Sequence, residues 1–349
     1  MPNLNLEKLF TEAQQQNASD VHLIVGQEPI LRINDDLLPI TDMPEITETI
    51  MQTVFKQILT PAQINLFEEK KDLDISYEIP DGTRFRVNLH RANEKTGLVA
   101  RIIPLEIPSM ETLMMPEVAY DICNLDQGLV IITGPTGSGK STSLASMINL
   151  INDQRNCSII TLEDPIEFIH KPKKSIIMQR QLGSDMTSFA AGLKHVLRQD
   201  PDVIMVGEMR DLETIAATIT LAETGHLVFA TLHTLNAAQT IDRIIDVFPS
   251  HQQPQVRLQL SMSLRAVISQ KLLPNTSGGL IATREIMTNT PAISNLIREN
   301  KIAQIKTVIQ TSADQGMITM DQDLKKLVEQ KQVTKEIAQA HMLNPESLK

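Results

Sequence analysis

Residues 131–148 read IITGPTGSGKSTSLASMI, and the reading of this stretch decides the architecture. Its centre, Gly134-Pro135-Thr136-Gly137-Ser138-Gly139-Lys140-Ser141 followed by Thr142, fits G-x-x-x-x-G-K-[ST], a loop whose backbone N–H groups cradle phosphates. Upstream, Leu129 to Thr133 is the β-branched run of a buried strand; downstream, Leu144, Met147, Ile148 and Ile151 share one helical face. Strand, glycine loop and helix therefore follow in the order that a phosphate site requires. The helix N-terminus presents the positive end of its dipole, Lys140 is placed to reach the β and γ groups, and the Ser141 hydroxyl is placed to ligate Mg²⁺. The ligand expected from these residues is a nucleotide.

Composition bounds the rest. A chain of 349 residues holds two or three domains, and 42% hydrophobic with 21% charged residues is ordinary for a globular protein. No apolar run approaches the ~20 residues of a membrane span, and the start MPNLNLEKLFTEAQQQNASD lacks a secretory signal pattern, so the expected location is cytoplasmic. Cys123 and Cys157 form neither a disulfide framework nor a paired metal motif. With a net charge of −10, no Trp and 3% aromatics, the chain lacks a broad phosphate-neutralising face, and no direct nucleic-acid partner is expected. The basic run His170-Lys171-Pro172-Lys173-Lys174 is short and reads as a solvated loop.

Along the chain, residues 1–105 alternate short strand-like runs (Val21 to Val25, Ile30 to Ile33, Phe85 to Leu89, Leu98 to Ile103) with a helical stretch from Glu45 to Leu59, the pattern of a small α+β domain. Prolines and weak periodicity suggest a linker over 106–126. From 127 to about 290, strands at Leu129–Thr133, Ser158–Leu162, Asp202–Val206 and Leu227–Thr231 alternate with helices such as Asp211–Glu223, which predicts an α/β domain with a mainly parallel sheet. Residues 291–349 read as helical.

Ligands of open α/β sheets bind beyond the carboxyl ends of the strands, so partners of the loop are sought there. Glu163, in Glu163-Asp164-Pro165-Ile166-Glu167, follows one strand and is placed to orient an attacking water. Glu208, in Gly207-Glu208-Met209-Arg210-Asp211, follows another and can hold Mg²⁺ or polarise the nucleophile, whereas Asp211 reads as a helix cap. His226 and His233 bracket the strand in GHLVFATLHT; a lone histidine there is ordinarily structural, but two beside a phosphate loop suggest sensing of the nucleotide state. Arginines Arg84, Arg86 and Arg101 of the first domain are candidates for charge neutralisation in trans across a ring, with Arg91 the better fit to an exposed edge.

The segments GPTGSGKST, LEDPIEF, DVIMVGEMRD and GHLVFATLHT resemble, in order and spacing, the Walker A, Asp, atypical Walker B and His boxes of the type II/IV secretion ATPase superfamily. ASDVHLIVGQEPILRIN and NTPAISNLIRENKIAQIKTVIQT extend the likeness to its PilT-type pilus-retraction (twitching motility) branch. That resemblance implies a PAS-like first domain, a RecA-like P-loop ATPase domain and a homo-hexameric ring. It also implies ATP and Mg²⁺ as cofactors, with Glu163 and Glu208 acting on water and metal and Ser141 beside Glu208 on Mg²⁺. His226 and His233 would lie near the nucleotide, with first-domain arginines reaching across. The implied work is disassembly of a type IV pilus from the cytoplasmic face of the inner membrane, against a platform protein, by a chain peripheral to the membrane. Two positions depart from the branch's usual AIRNLIREGK: Ser294 stands for its first arginine and Asn300 for its glycine. The absence of cysteine between Leu235 and Leu273 argues against the zinc-bearing assembly branch. The alternatives are a related ring ATPase of type IV secretion or DNA uptake, and a nucleotide-dependent scaffold that does not hydrolyse. The presence of Lys140, Glu163 and Glu208 weighs against the scaffold.

Overall fold

The computed structural model describes residues 4–33, 36–103 and 106–348. By their contacts these fall into two compact units, one of residues 1–106 with 165–169 and one of residues 107–164 with 170–349. The boundary expected at residue 105 falls outside the described residues.

In the first unit, strands β1 (Asp20–Ile24), β2 (Ile30–Ile33), β3 (Asp36–Pro39), β4 (Asp72–Glu78), β5 (Arg84–Ala92) and β6 (Lys95–Ile103) form one sheet in the order β3-β2-β1-β6-β5-β4, with every pairing antiparallel. Strand alternation divides its faces. Val21, Leu23, Val87, Leu89, Leu98 and Ala100 turn inward to a core shared with the helices Leu6–Gln15 and Glu48–Ile58, where Phe10 stacks on Phe85 at 4.1 Å. Arg84, Arg86 and Arg101 lie on the opposite, polar face. The helices start where side chains satisfy their first amides: Asn5 and Thr47 cap, and Thr60 with Gln63 makes a capping box around Pro61.

The second unit holds β7 (Gly128–Thr133), β8 (Ser158–Glu163), β9 (Ile176–Gln181), β10 (Val203–Val206), β11 (Leu227–Leu232), β12 (Leu264–Pro274) and β13 (Leu280–Thr288), in the order β13-β12-β7-β11-β10-β8-β9. All pairings are parallel except that of β12 with β13. The expected α/β layout is therefore present. Its central strands are buried on both faces, which is why they read as unbroken apolar runs. One face packs on the helix Lys140–Gln154, and the other on the helices Leu212–Glu223, Ala237–Asp246 and Gln253–Ser263.

The stretch expected to be a linker differs. From Ile107 onward it belongs to the second unit, carries the helix Glu117–Cys123, and buries Met110, Met115, Ala119 and Ile122. Its periodicity is broken by Met114 in the left-handed region (φ 48°), and buried Arg284 holds the Leu113 and Met114 carbonyls at 2.9 and 3.2 Å. In the C-terminal region, helix Pro291–Arg298 buries Ile293 and Ile297 while Leu296 is half-buried. Ala292, on the same helix, is exposed.

A candidate nucleotide site at the ends of the parallel strands

Because β7, β8, β10 and β11 run parallel, Gly134, Asp164, Gly207 and His233 all emerge from the same edge of the sheet. The loop 134–139 turns back over β12. Gly134 has φ 148°, and a Cβ there would lie 2.2 Å from the Gln270 carbonyl oxygen, so only glycine fits. Gln270, itself buried, braces the loop: its amide donates to the Ser138 carbonyl at 2.6 Å, and its carbonyl accepts from the Ser143 hydroxyl at 2.9 Å. Lys140 lies against the loop, Nζ donating to the Gly134 and Pro135 carbonyls at 2.9 Å each. Ser141, in the first turn of the following helix, is exposed, and Thr142 is half-buried beside it.

Glu208 meets two side chains. Oε2 lies 3.3 Å from His233 Nε2, which must carry the proton to face a carboxylate, and Oε1 pairs with Arg210 Nε. His233 is held below its ordinary pKa by burial first, then by the Lys140 and Arg210 cations, and so stays neutral around pH 7. Lys140, Arg210, Glu208 and His233 thus form one electrostatic cluster. The Thr133 hydroxyl, at the end of β7, contacts the Thr234 carbonyl and hydroxyl at 2.7 Å, and the latter meets Thr240 at 2.7 Å. These hydroxyls tie the loop's entry to the helix Ala237–Asp246.

Glu163 ends β8 on the face of the sheet that carries the helix Lys140–Gln154. Its carboxylate is buried, with Oε1 accepting from Thr161 Oγ1 at 2.6 Å and from Gln179 Nε2 at 3.0 Å. Asp211 caps the helix Leu212–Glu223 through the Thr214 amide at 2.9 Å, as its position predicts.

His226 is not brought to the loop. It precedes β11, at the opposite edge of the sheet, and its Nδ1 lies 2.9 Å from the Leu221 carbonyl. A six-residue strand separates it from His233 by about 20 Å, so within one subunit the two histidines do not share a site. The rule that ligands bind at carboxyl ends already distinguishes the two histidines.

The three arginines belong to the first unit. Arg101 pairs with Asp20 at 2.9 Å, Arg86 lies 3.8 Å from Asp74 and 3.6 Å from Glu167, and Arg84 lies 3.6 Å from Glu78 with buried Nε and Nη1 making no hydrogen bond. Arg101 is the most exposed, at 68% of its side chain.

The profile of the type II/IV secretion system protein family matches residues 3–344. The chain belongs to this family. It is 45% identical over 344 residues to the type IV pilus retraction ATPase PilT of Pseudomonas aeruginosa, an alignment covering 99% of this chain and all of that protein. It is 47% identical over 321 residues to a twitching motility protein of Neisseria gonorrhoeae, covering 92% and 86% of the two chains. The crystal structure of the pilus retraction motor PilT with bound ADP superposes with a TM-score of 0.91 at 43% identity, covering 99% of each chain. The chain is therefore a nucleotide-binding ATPase of the PilT type, with a RecA-like second unit. Among the described residues no helix is long and apolar enough to cross a membrane.

The two departures in this family's C-terminal segment have structural counterparts. Asn300 follows the helix Pro291–Arg298 in the left-handed conformation (φ 58°), which glycine adopts most readily and asparagine next. Ser294 donates from Oγ to the Ser261 carbonyl at 2.7 Å, fastening this helix to the helix Gln253–Ser263.

Proposed function

We propose that the chain assembles into a homo-hexameric ring whose subunits hydrolyse ATP with Mg²⁺ to power retraction of type IV pili, working in the cytoplasm against a platform protein of the inner membrane. The observation that carries the catalytic part is the convergence of Lys140, Glu208 and His233 at the strand ends beside the glycine loop. Similarity to PilT and to a twitching motility protein supports the biological part.

In this reading the loop amides from Gly134 to Ser141 receive the phosphates and Lys140 exchanges its two carbonyl partners for phosphate oxygens. Ser141 and Glu208 would hold Mg²⁺, whose chemistry is neutralisation of the phosphate charge that develops in the transition state. Their oxygens suit a hard cation, and among the described residues no three His, Cys, Asp or Glu side chains cluster. That sparseness fits an ion that keeps waters and phosphates as most of its ligands. Glu163 orients the attacking water and accepts its proton, and neutral His233 couples Glu208 to the state of the nucleotide. Arg84, Arg86 and Arg101 serve a neighbouring subunit's site. The likeness to relatives named for pilus retraction and twitching motility supports retraction over the secretion and DNA-uptake alternative.

The test joins biochemistry to cells. Purified Lys140→Ala and Glu208→Gln lose Mg²⁺-dependent phosphate release, and cells carrying either accumulate pili they cannot withdraw. Unchanged turnover in both variants rejects the catalytic assignment; bald cells reject retraction in favour of assembly.

A further inference from the structure

The inward face of strand β9 mixes apolar Ile177, packed on the core, with polar side chains. Ile176 and Met178 point to solvent at 63% and 39% exposure, while Gln179, with the opposite side-chain direction, faces the sheet side that carries Glu163. In the parallel β8–β9 pairing Gln179 stands opposite Thr161, and Glu163 lies two residues further along the same face. The amide of Gln179 is fixed at both ends. Its oxygen accepts from the His170 backbone N–H at 2.9 Å, so its nitrogen must be the end that faces the Glu163 carboxylate, at 3.0 Å. Thr161 Oγ1 donates to the same oxygen, Oε1, at 2.6 Å. Two donors on one carboxylate oxygen, from adjacent strands, set its rotation. Gln179 also ties Glu163 to His170 across the intervening residues 164–169.

We infer that Gln179 and Thr161 are positioning residues for hydrolysis: they hold the Glu163 carboxylate oriented for the water that attacks the γ-phosphate. The inference rests on the reading of Glu163 as the group that acts on water.

The experiment compares Gln179→Met, Thr161→Val, Thr161→Ser and Glu163→Gln in the full-length, assembled protein, by steady-state phosphate release over a range of ATP concentrations. Gln179→Met and Thr161→Val are each expected to lower kcat by about tenfold or more with KM for ATP within about twofold, because misplacement of a catalytic group costs turnover rather than binding. Thr161→Ser, which keeps the hydroxyl, retains the wild-type rate. Added to Glu163→Gln, the Gln179→Met change is expected to alter kcat less than about twofold, since it acts through that carboxylate. An equal loss in the Glu163→Gln background overturns the inference in favour of a general structural role. Unchanged or raised kcat in Gln179→Met overturns it too. Should Gln179→Met fail to assemble, the contrast between Thr161→Val and Thr161→Ser decides. Wild-type kcat in Glu163→Gln itself rejects the role of Glu163, and is distinguishable because it appears without any change at Gln179.

Discussion

Replacing Gln270 by leucine removes the brace under the phosphate loop while keeping the side chain's approximate volume. Two hydrogen bonds go, and they are not equivalent. Ser143 lies in a helix, where its hydroxyl can turn to the carbonyl one turn back, so losing Gln270 costs it little. The Ser138 carbonyl, in a loop packed against β12, has no such refuge; an orphaned buried acceptor costs about 1–3 kcal/mol. If the loop relaxes to expose that carbonyl, the cost appears as lost preorganisation of the phosphate cradle. An expected weakening of ADP affinity by about 5- to 150-fold follows from the same free energy. Titration calorimetry of ADP into the assembled protein measures it, with thermal melts to confirm folding. Gln270→Glu should also weaken binding, since it can accept from Ser143 but sets a carboxylate against the Ser138 carbonyl. ADP affinity and melting temperature both unchanged in Gln270→Leu would refute the bracing role.

Other perturbations follow from the same geometry. Mixing an Arg84→Ala, Arg86→Ala, Arg101→Ala triple variant with Lys140→Ala subunits should restore turnover, because an intact loop can then meet an intact arginine donor; no rescue in verified mixed rings excludes donation in trans. Burial, with the Lys173 cation adding, pulls His170 down to about 4. The unfolded chain takes up this proton below about 6.5 and the folded one only near 4, so stability falls as pH drops through that window, by about 3 kcal/mol at its acid end. His170→Gln should flatten the pH dependence of the urea midpoint between pH 6.5 and 4, and equal slopes in the two proteins contradict the assignment. Arg298 is exposed and donates to Asn295 at 2.9 Å. Arg298→Ala should leave phosphate release nearly unchanged while cells accumulate unretracted pili, whereas normal pilus numbers detach this segment from retraction.

What the sequence made legible depended on whether chemistry was written locally. The glycine loop is local: Gly134, Gly139, Lys140 and Ser141 are constrained by one turn and one helix start, so their spacing alone predicts the strand, loop and helix that the structure shows. The parallel strands β7, β8, β10 and β11 were legible for the same reason, because burial on both faces leaves continuous apolar runs. Strands β12 and β13 escaped notice since β12 begins directly at the end of the helix Gln253–Ser263, with no turn residue between them. With β12 went Gln270, one of four polar residues in LRAVISQKLLP, whose role exists only through register beside β7. Gln179 and Thr161 were hidden likewise, since the grip on Glu163 arises from pairing between strands separated by 12 residues of irregular chain, residues 164–175. His226 shows the reverse error. Proximity in sequence to the His233 strand suggested a shared site, but a strand has two ends, and in a parallel sheet only the carboxyl end meets the loop. The residues proposed to act on the nucleotide are thus written in motifs, while those that hold them in place emerge from strand register.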